Sequence, residues 1–162
     1  NYFSVQRLFP VKINHTVNGE EWRHKIKKYH IGLVSLMPAG ASICLPSKTY
    51  SMMAGGLAIM SICPRWSDLA DLVEDNQSGW IINNSTENHL KNYKDINEYK
   101  RTIYRVKNRQ KIAENFISTL EFLKDNPHLI YEKRLNAYHN VREKYDIKNL
   151  TNKWNVFLNA IK

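Results

Sequence analysis

A serine and a lysine stand side by side at Ser47–Lys48, inside the run LPSKTYSMMAGGLAIMS (residues 45–61), where a short apolar helix opens just after a proline. A lysine in the first turn opposes the positive end of the helix dipole, so its presence calls for a reason. A bound anion would supply one, because free backbone N–H groups and a cation at a helix N-terminus together suit a phosphate. The plain alternative is a capping Ser47 followed by a solvated Lys48. The stretch before the helix, MPAGASICLP (37–46), is built of small residues, which let a ligand approach the backbone closely. Gly55 and Gly56 read as the C-terminal stop of the helix, and Met52, Met53 and Met60 as core packing.

Other residue groupings offer less. His24 and His30 are six apart, a spacing that does not put two ligands on one helical face, and no third ligand lies nearby, so no metal site is expected. Asp68, Asp71, Glu74 and Asp75 read as a solvated acidic face biased to a helix N-terminus. Cys44 and Cys63 lack CxxC spacing, and their apolar neighbours suggest two reduced, core-type thiols. No Ser/His/Asp order and no Cys/His pairing emerges, so no catalytic residue is assigned.

The formal net charge of +9 favours anionic partners. Its distribution is uneven: residues 91–111 hold eight Lys/Arg against two Asp/Glu, +6 in one segment. These cations are Lys91, Lys94, Lys100, Arg101, Arg105, Lys107, Arg109 and Lys111, interleaved with Tyr93, Tyr99 and Tyr104. Tyrosine among basic residues suits the edge of an anionic bilayer, and aromatics among cations also stack on single-stranded nucleic acid. A solvated helix or loop insertion is the plain alternative; of the two ligands, the membrane surface is favoured over nucleic acid.

The elements that must position these residues alternate. A strand is predicted over 11–14, a capped helix over 19–29, a strand over 31–36, the loop 37–46, the helix 47–54, a strand over 57–62, a capped helix ended by Gly79, and a strand over 80–83. The strands are continuous apolar runs, as expected for strands buried on both faces. Short connections between such strands and helices predict an α/β fold, a Rossmann-like parallel sheet with crossover helices. In such sheets ligands gather at the carboxyl ends of the strands, where the loop before Lys48 would lie. From residue 86 onward only helices are predicted: the basic segment, then 112–125, 129–145 and 147–161, each with apolar residues at three- and four-residue spacing. The 162 residues fit one domain, with 86–111 as a basic insertion and 112–162 as closing helices. Four strands and no Gly-rich first turn make it look like the later part of a larger domain. No apolar run approaches the roughly 18–20 residues of a membrane span, and the first residues lack a basic n-region and an h-region. The expectation is a cytoplasmic protein.

In their order and spacing, IGLVSL, LPSKTYSMMAGGLAIMS and DLADLVEDNQSGWIIN resemble the C-terminal, nucleotide-sugar-binding domain of retaining glycosyltransferases of the two-Rossmann-domain (GT-B) fold. The resemblance is to the family 4-like branch that builds bacterial surface polysaccharides and lipid-linked glycans, whose members commonly show P-S-K-L-x-E-Y-M-A-x-G-x-P-V-I-A-S here. It covers roughly residues 11–84 and again 113–161. It implies a hexosyltransferase whose donor is a nucleotide diphosphate sugar, UDP-linked by expectation, with no metal. The donor loop would be Ser42, Ile43, Cys44, Leu45, Pro46, Ser47 and Lys48, with the amides of 46–48 on the phosphates. The family's ribose-binding Glu falls on Ser51 and its earlier acidic residue on Ile43, so both positions depart from the pattern. A serine offers one hydrogen bond where Glu accepts two. The acceptor, a glycan or lipid-linked glycan, would be held by an N-terminal domain that these residues do not contain, and the chain alone is expected to be inactive. It would work at the inner face of the plasma membrane. The alternative is a non-catalytic or degenerate module that binds a nucleotide or an anionic surface. A non-hydrolysing epimerase of the same fold is disfavoured, as its acid/base constellation is absent.

Overall fold

In a computed structural model of the chain, residues 15–87, 95–103 and 105–161 are described, the side chain of Thr102 excepted. The strand predicted over 11–14 lies outside them. Helix α1 (Gly19–Ile26) follows from its sequence: the Asn18 side chain accepts from the Glu21 N–H at 2.9 Å, acids fill the first turn, and Arg23, His24 and Lys25 fill the last. A Lys25–Glu21 ion pair one turn apart adds to it. The helix stops at Ile26, three residues short of the sequence expectation.

Three strands follow, β1 (Ile31–Ser35), β2 (Ala58–Cys63) and β3 (Gly79–Asn83). They form a parallel sheet in the order β1-β2-β3, with Ile31 opposite Ala58 and Ile59 opposite Gly79. Between them run α2 (Pro38–Ala41), α3 (Lys48–Ala54) and α4 (Asp68–Asp75). This is the α/β, Rossmann-like arrangement expected. The C-terminal part is helical: α5 (Ile96–Ile103), α6 (Arg109–Asp125), α7 (Pro127–Lys144) and α8 (Ile147–Ala160).

The central strand decides where the core sits. Side chains alternate along a strand, so Ile59 and Cys63 join Met53, Leu69, Val73, Ala137 and Val141 on one face. Met60 joins Ile82 and Leu123, backed by Phe116, Leu129 and Ile130, on the other. Helix α7 therefore crosses from one layer to the other along its length. Met53 and Met60 are buried and Met52 packs against the core, as their sequence context suggests. Strand β1 differs from expectation. It is buried on one face only, and Leu33 is 52% exposed on the other. A short apolar run does not reveal how many of its faces are covered.

Two helix ends also differ from the sequence reading. Helix α4 is capped by Ser67, whose Oγ accepts from the Ala70 N–H and donates to the Pro64 carbonyl. It ends at Asp75, and Gln77 takes the left-handed turn conformation (φ 47°). Gly79 is therefore not the stop but the first residue of β3. A Cβ there would lie 1.7 Å from the Ile59 carbonyl oxygen, so the strand contact itself requires glycine. The carbonyls left free at this helix end are taken by α7, where Asn140 Nδ2 donates to Asn76 O and Asn136 Nδ2 to Gln77 O.

Candidate functional site

The carboxyl ends of the three strands are tied together by two consecutive asparagines. The Asn84 side-chain amide donates to the carbonyls of Leu36 (2.9 Å) and Ile62 (3.5 Å), while its own backbone N–H reaches Cys63 O. Asn83 Oδ1 accepts from the backbone N–H groups of Arg65 and Ser85. The loop leaving β1 is thus anchored at Leu36 before it turns. It is not irregular throughout, because Pro38–Ala41 forms one helical turn led by Met37 in extended geometry and proline at the first position.

Downstream of this turn, Ser42, Ile43 and Cys44 are exposed, Ile43 to 88%. The Ser42 hydroxyl donates to the Ala39 carbonyl. Cys44 is accordingly no core thiol; of the two cysteines only Cys63 is buried. Burial pushes the Cys63 thiol up, partly opposed by the neighbouring Ser67 and Ser61 hydroxyls. Leu45 packs against the core and Pro46 is half-buried.

Ser47 corrects a second expectation. Its backbone is already helical (φ −59°, ψ −28°) and its side chain makes no capping hydrogen bond. A capping serine needs extended backbone to aim its oxygen at the N–H groups ahead. Here the turn begins one residue earlier, with Thr49 N–H on the Pro46 carbonyl. Helix α3 ends at Ala54, with Gly55 as its cap and Gly56 left-handed (φ 76°), in keeping with their reading as a stop.

Helices α1 and α3 border a common cleft. Gly19 at the start of α1 shares this cleft with Lys48 and Ser51 of α3, and Ile26 at the end of α1 packs against Gly55, the cap of α3. The cleft holds about 610 Å³, with Trp22, Lys25 and Tyr29 on the α1 side. Lys48 and Ser51 are exposed, and Lys48 makes no ion pair with any described residue. Thr49, between them, is buried. Of the residues singled out from the sequence, Lys48 and Ser51 are brought together on this cleft; Ser42, Ile43, Cys44, Leu45, Pro46 and Ser47 are not among its described lining. The α1 side was missed in the sequence: Trp22 lies on the helix and Tyr29 in the turn beyond it, so no single helical period links them.

Ser51 also borders a second groove, of about 720 Å³, on the far side of α3 against α7 and α8. There Tyr50 and Tyr145 meet edge to face with centroids 5.0 Å apart. Burial, with Tyr145 and Asp68 nearby, pushes the Tyr50 hydroxyl above its ordinary range.

The basic segment returns to the same end of the sheet. Val106 pairs with Ser85 in an antiparallel bridge, and Lys107 N–H bonds to the Asn84 carbonyl. Lys100, Arg101, Arg105, Arg109 and Lys111 are exposed and Lys107 is half-buried. Arg105 has one carboxylate neighbour, Glu87, at 3.8 Å. Lys91, Lys94, Tyr93 and Tyr104 lie outside the described residues. Among the described residues no group of His, Cys, Asp and Glu is placed to hold a metal, and no helix is long and apolar enough to cross a membrane. Comparison with protein-family models, with curated proteins and with solved structures finds no match to this chain.

Proposed function

We propose that the chain is the donor-binding part of a glycosyltransferase, which moves a hexose from a nucleotide diphosphate sugar to a glycan or lipid-linked acceptor. The observation that carries this reading is Lys48: an exposed cation without an ion-pair partner among the described residues, beside Ser51, on a cleft whose other wall is α1 and the turn after it. The uncompensated ammonium suits the diphosphate of a UDP-sugar, and charge–phosphate contacts strengthen as negative charge gathers on the leaving group. Trp22 and Tyr29 offer flat apolar surface to a base or sugar ring. The Ser51 hydroxyl meets the ribose. The acceptor sits on a second domain, and the assembly works at the cytoplasmic membrane face.

The test is calorimetric titration of UDP into the protein. A hydrogen bond to a charged group is worth about 1.5–3 kcal/mol, so Lys48→Ala weakens UDP binding roughly tenfold to a hundredfold. Lys91→Ala leaves it unchanged. Equal binding by the two variants overturns the assignment.

A second reading rests on Ser51 itself. One hydroxyl stands where a paired acceptor would grip the ribose, which fits a module that has lost turnover and keeps only binding. Ser51→Glu separates the two, since a gain in nucleotide affinity points to a decayed site.

A further inference from the structure

Helix α8 is amphipathic, yet it buries nothing. Ile147, Leu150, Trp154, Phe157, Leu158 and Ile161 fall on one helical face, at spacings of three, four, three, one and three residues. All six are exposed, from 47% at Leu158 to 71% at Ile147. Trp154 and Phe157 touch edge to face, 5.9 Å between centroids. At its start the stripe runs into the groove beside Tyr50 and Tyr145, which Leu150 and Lys153 also line. Val156, also exposed, lies off this stripe; a contiguous apolar face of this kind needs a covering partner.

Charge selects the partner. From residue 147 to the last residue there is no Asp or Glu, only Lys148, Lys153 and Lys162, and the remaining polar positions are Asn and Thr. Lys153 flanks the apolar stripe. A second copy of the helix would set lysine against lysine. An anionic lipid surface satisfies both features: acyl chains take the Trp, Phe and Leu side chains, and headgroup phosphates take the lysines.

We propose that α8 is a membrane-surface helix, which lays its Trp154–Phe157 face into the headgroup boundary of an anionic bilayer. This contact is separate from the basic segment and does not depend on sugar transfer. The helix lies on the membrane, being too short and too polar to span it.

The experiment is flotation of the 162-residue chain, without nucleotide, on vesicles of equal parts phosphatidylcholine and phosphatidylglycerol. The chain floats with these and not with phosphatidylcholine alone. The double variant Trp154→Ala/Phe157→Ala lowers the partition coefficient about tenfold or more, since membrane affinity follows the apolar area inserted. Because α8 buries no residue, the variant keeps its fold, which circular dichroism verifies. Lys100→Ser/Arg101→Ser leaves the partition within about twofold, whereas a basic-segment contact would lose about 1 kcal/mol per cation. The proposal is overturned if the wild-type chain fails to float, if the double variant floats equally, or if neutral vesicles bind as well. It is also overturned if sedimentation shows a dimer that the double variant dissolves, which assigns the face to a second copy. Each outcome is read without UDP, so it leaves the nucleotide proposal to its own test.

Discussion

Replacing Gly79 by alanine adds one methyl group at the most crowded backbone contact in the sheet. The new Cβ would start 1.7 Å from the Ile59 carbonyl oxygen, 2.6 Å from its carbon and 2.8 Å from the Ile59 nitrogen. All three are backbone atoms, so no side chain can swing away. The β2–β3 pair must open by more than an ångström to reach even a 3.0 Å contact. That opening disrupts the bond from Ile59 N–H to the Ser78 carbonyl, now 2.9 Å. Overpacking costs about 1–3 kcal/mol, and a buried N–H left unpaired about 1–3 kcal/mol more. The expected loss is about 3–5 kcal/mol, a large share of the roughly 5–15 kcal/mol that stabilises a domain. Two other glycines give the comparison. At Gly19 an added Cβ meets nothing within 4 Å, and alanine in a first helical turn gains up to about 1 kcal/mol. Gly56 has open space but a left-handed backbone, and Gly56→Ala loses about 1–2 kcal/mol. Urea denaturation followed by far-ultraviolet circular dichroism orders the three variants. If Gly79→Ala falls within about 1 kcal/mol of the wild type, or above Gly56→Ala, the close-approach argument is wrong.

The two serines that precede helices should separate in the same assay. Ser67→Ala removes a capping bond and loses about 1 kcal/mol, while Ser47→Ala changes stability by less than about 0.5 kcal/mol. A thiol reagent such as DTNB should titrate one cysteine rapidly in the native protein, Cys44, and the second only after denaturant is added; two rapid thiols contradict the burial of Cys63. Burial first, then the neighbouring carboxylates Asp75, Asp68 and Glu74, raises the Asp71 carboxyl above its ordinary range. Ionising it therefore costs the folded state more than the unfolded one. That penalty is absent below the ordinary carboxylate range and grows as pH rises through the folded value. Asp71→Asn accordingly stabilises the protein at neutral pH, and the gain disappears in acid; a gain that persists in acid would contradict the sign.

The order of elements was legible because each strand is a short run of aliphatic residues between turn signals. All three described strands fall within one residue of expectation. Asn18 and Ser67 announced their helices because each is followed by acids that complement the dipole. What failed was local geometry that a composition does not fix. Pro and Gly at 38–40 read as loop, yet proline after an extended Met37 starts a helical turn. Gly79 read as a stop because glycine is the usual left-handed residue, but Gln77 took that conformation and the glycine was needed by a neighbouring strand. Ser47 has the right type for a cap and the wrong backbone for one. Cys44 has apolar neighbours in sequence and none of their burial, since the loop turns it outward. The cleft itself needed two helices from different parts of the chain, and only Lys48 and Ser51 were visible from the α3 side.

The Asn84 clamp has a bearing on how this end of the molecule can change over generations. It grips carbonyl oxygens, at Leu36 and Ile62, and every amino acid carries a carbonyl. Substitutions between Met37 and Ser47 therefore leave the anchor intact, provided the path of the chain is kept. Natural variation can rewrite the exposed positions of the loop, Met37, Ser42, Ile43, Cys44 and Ser47, while inheriting the frame unchanged. Asn84 is the reverse case, a single codon on which the arrangement of three strand ends depends.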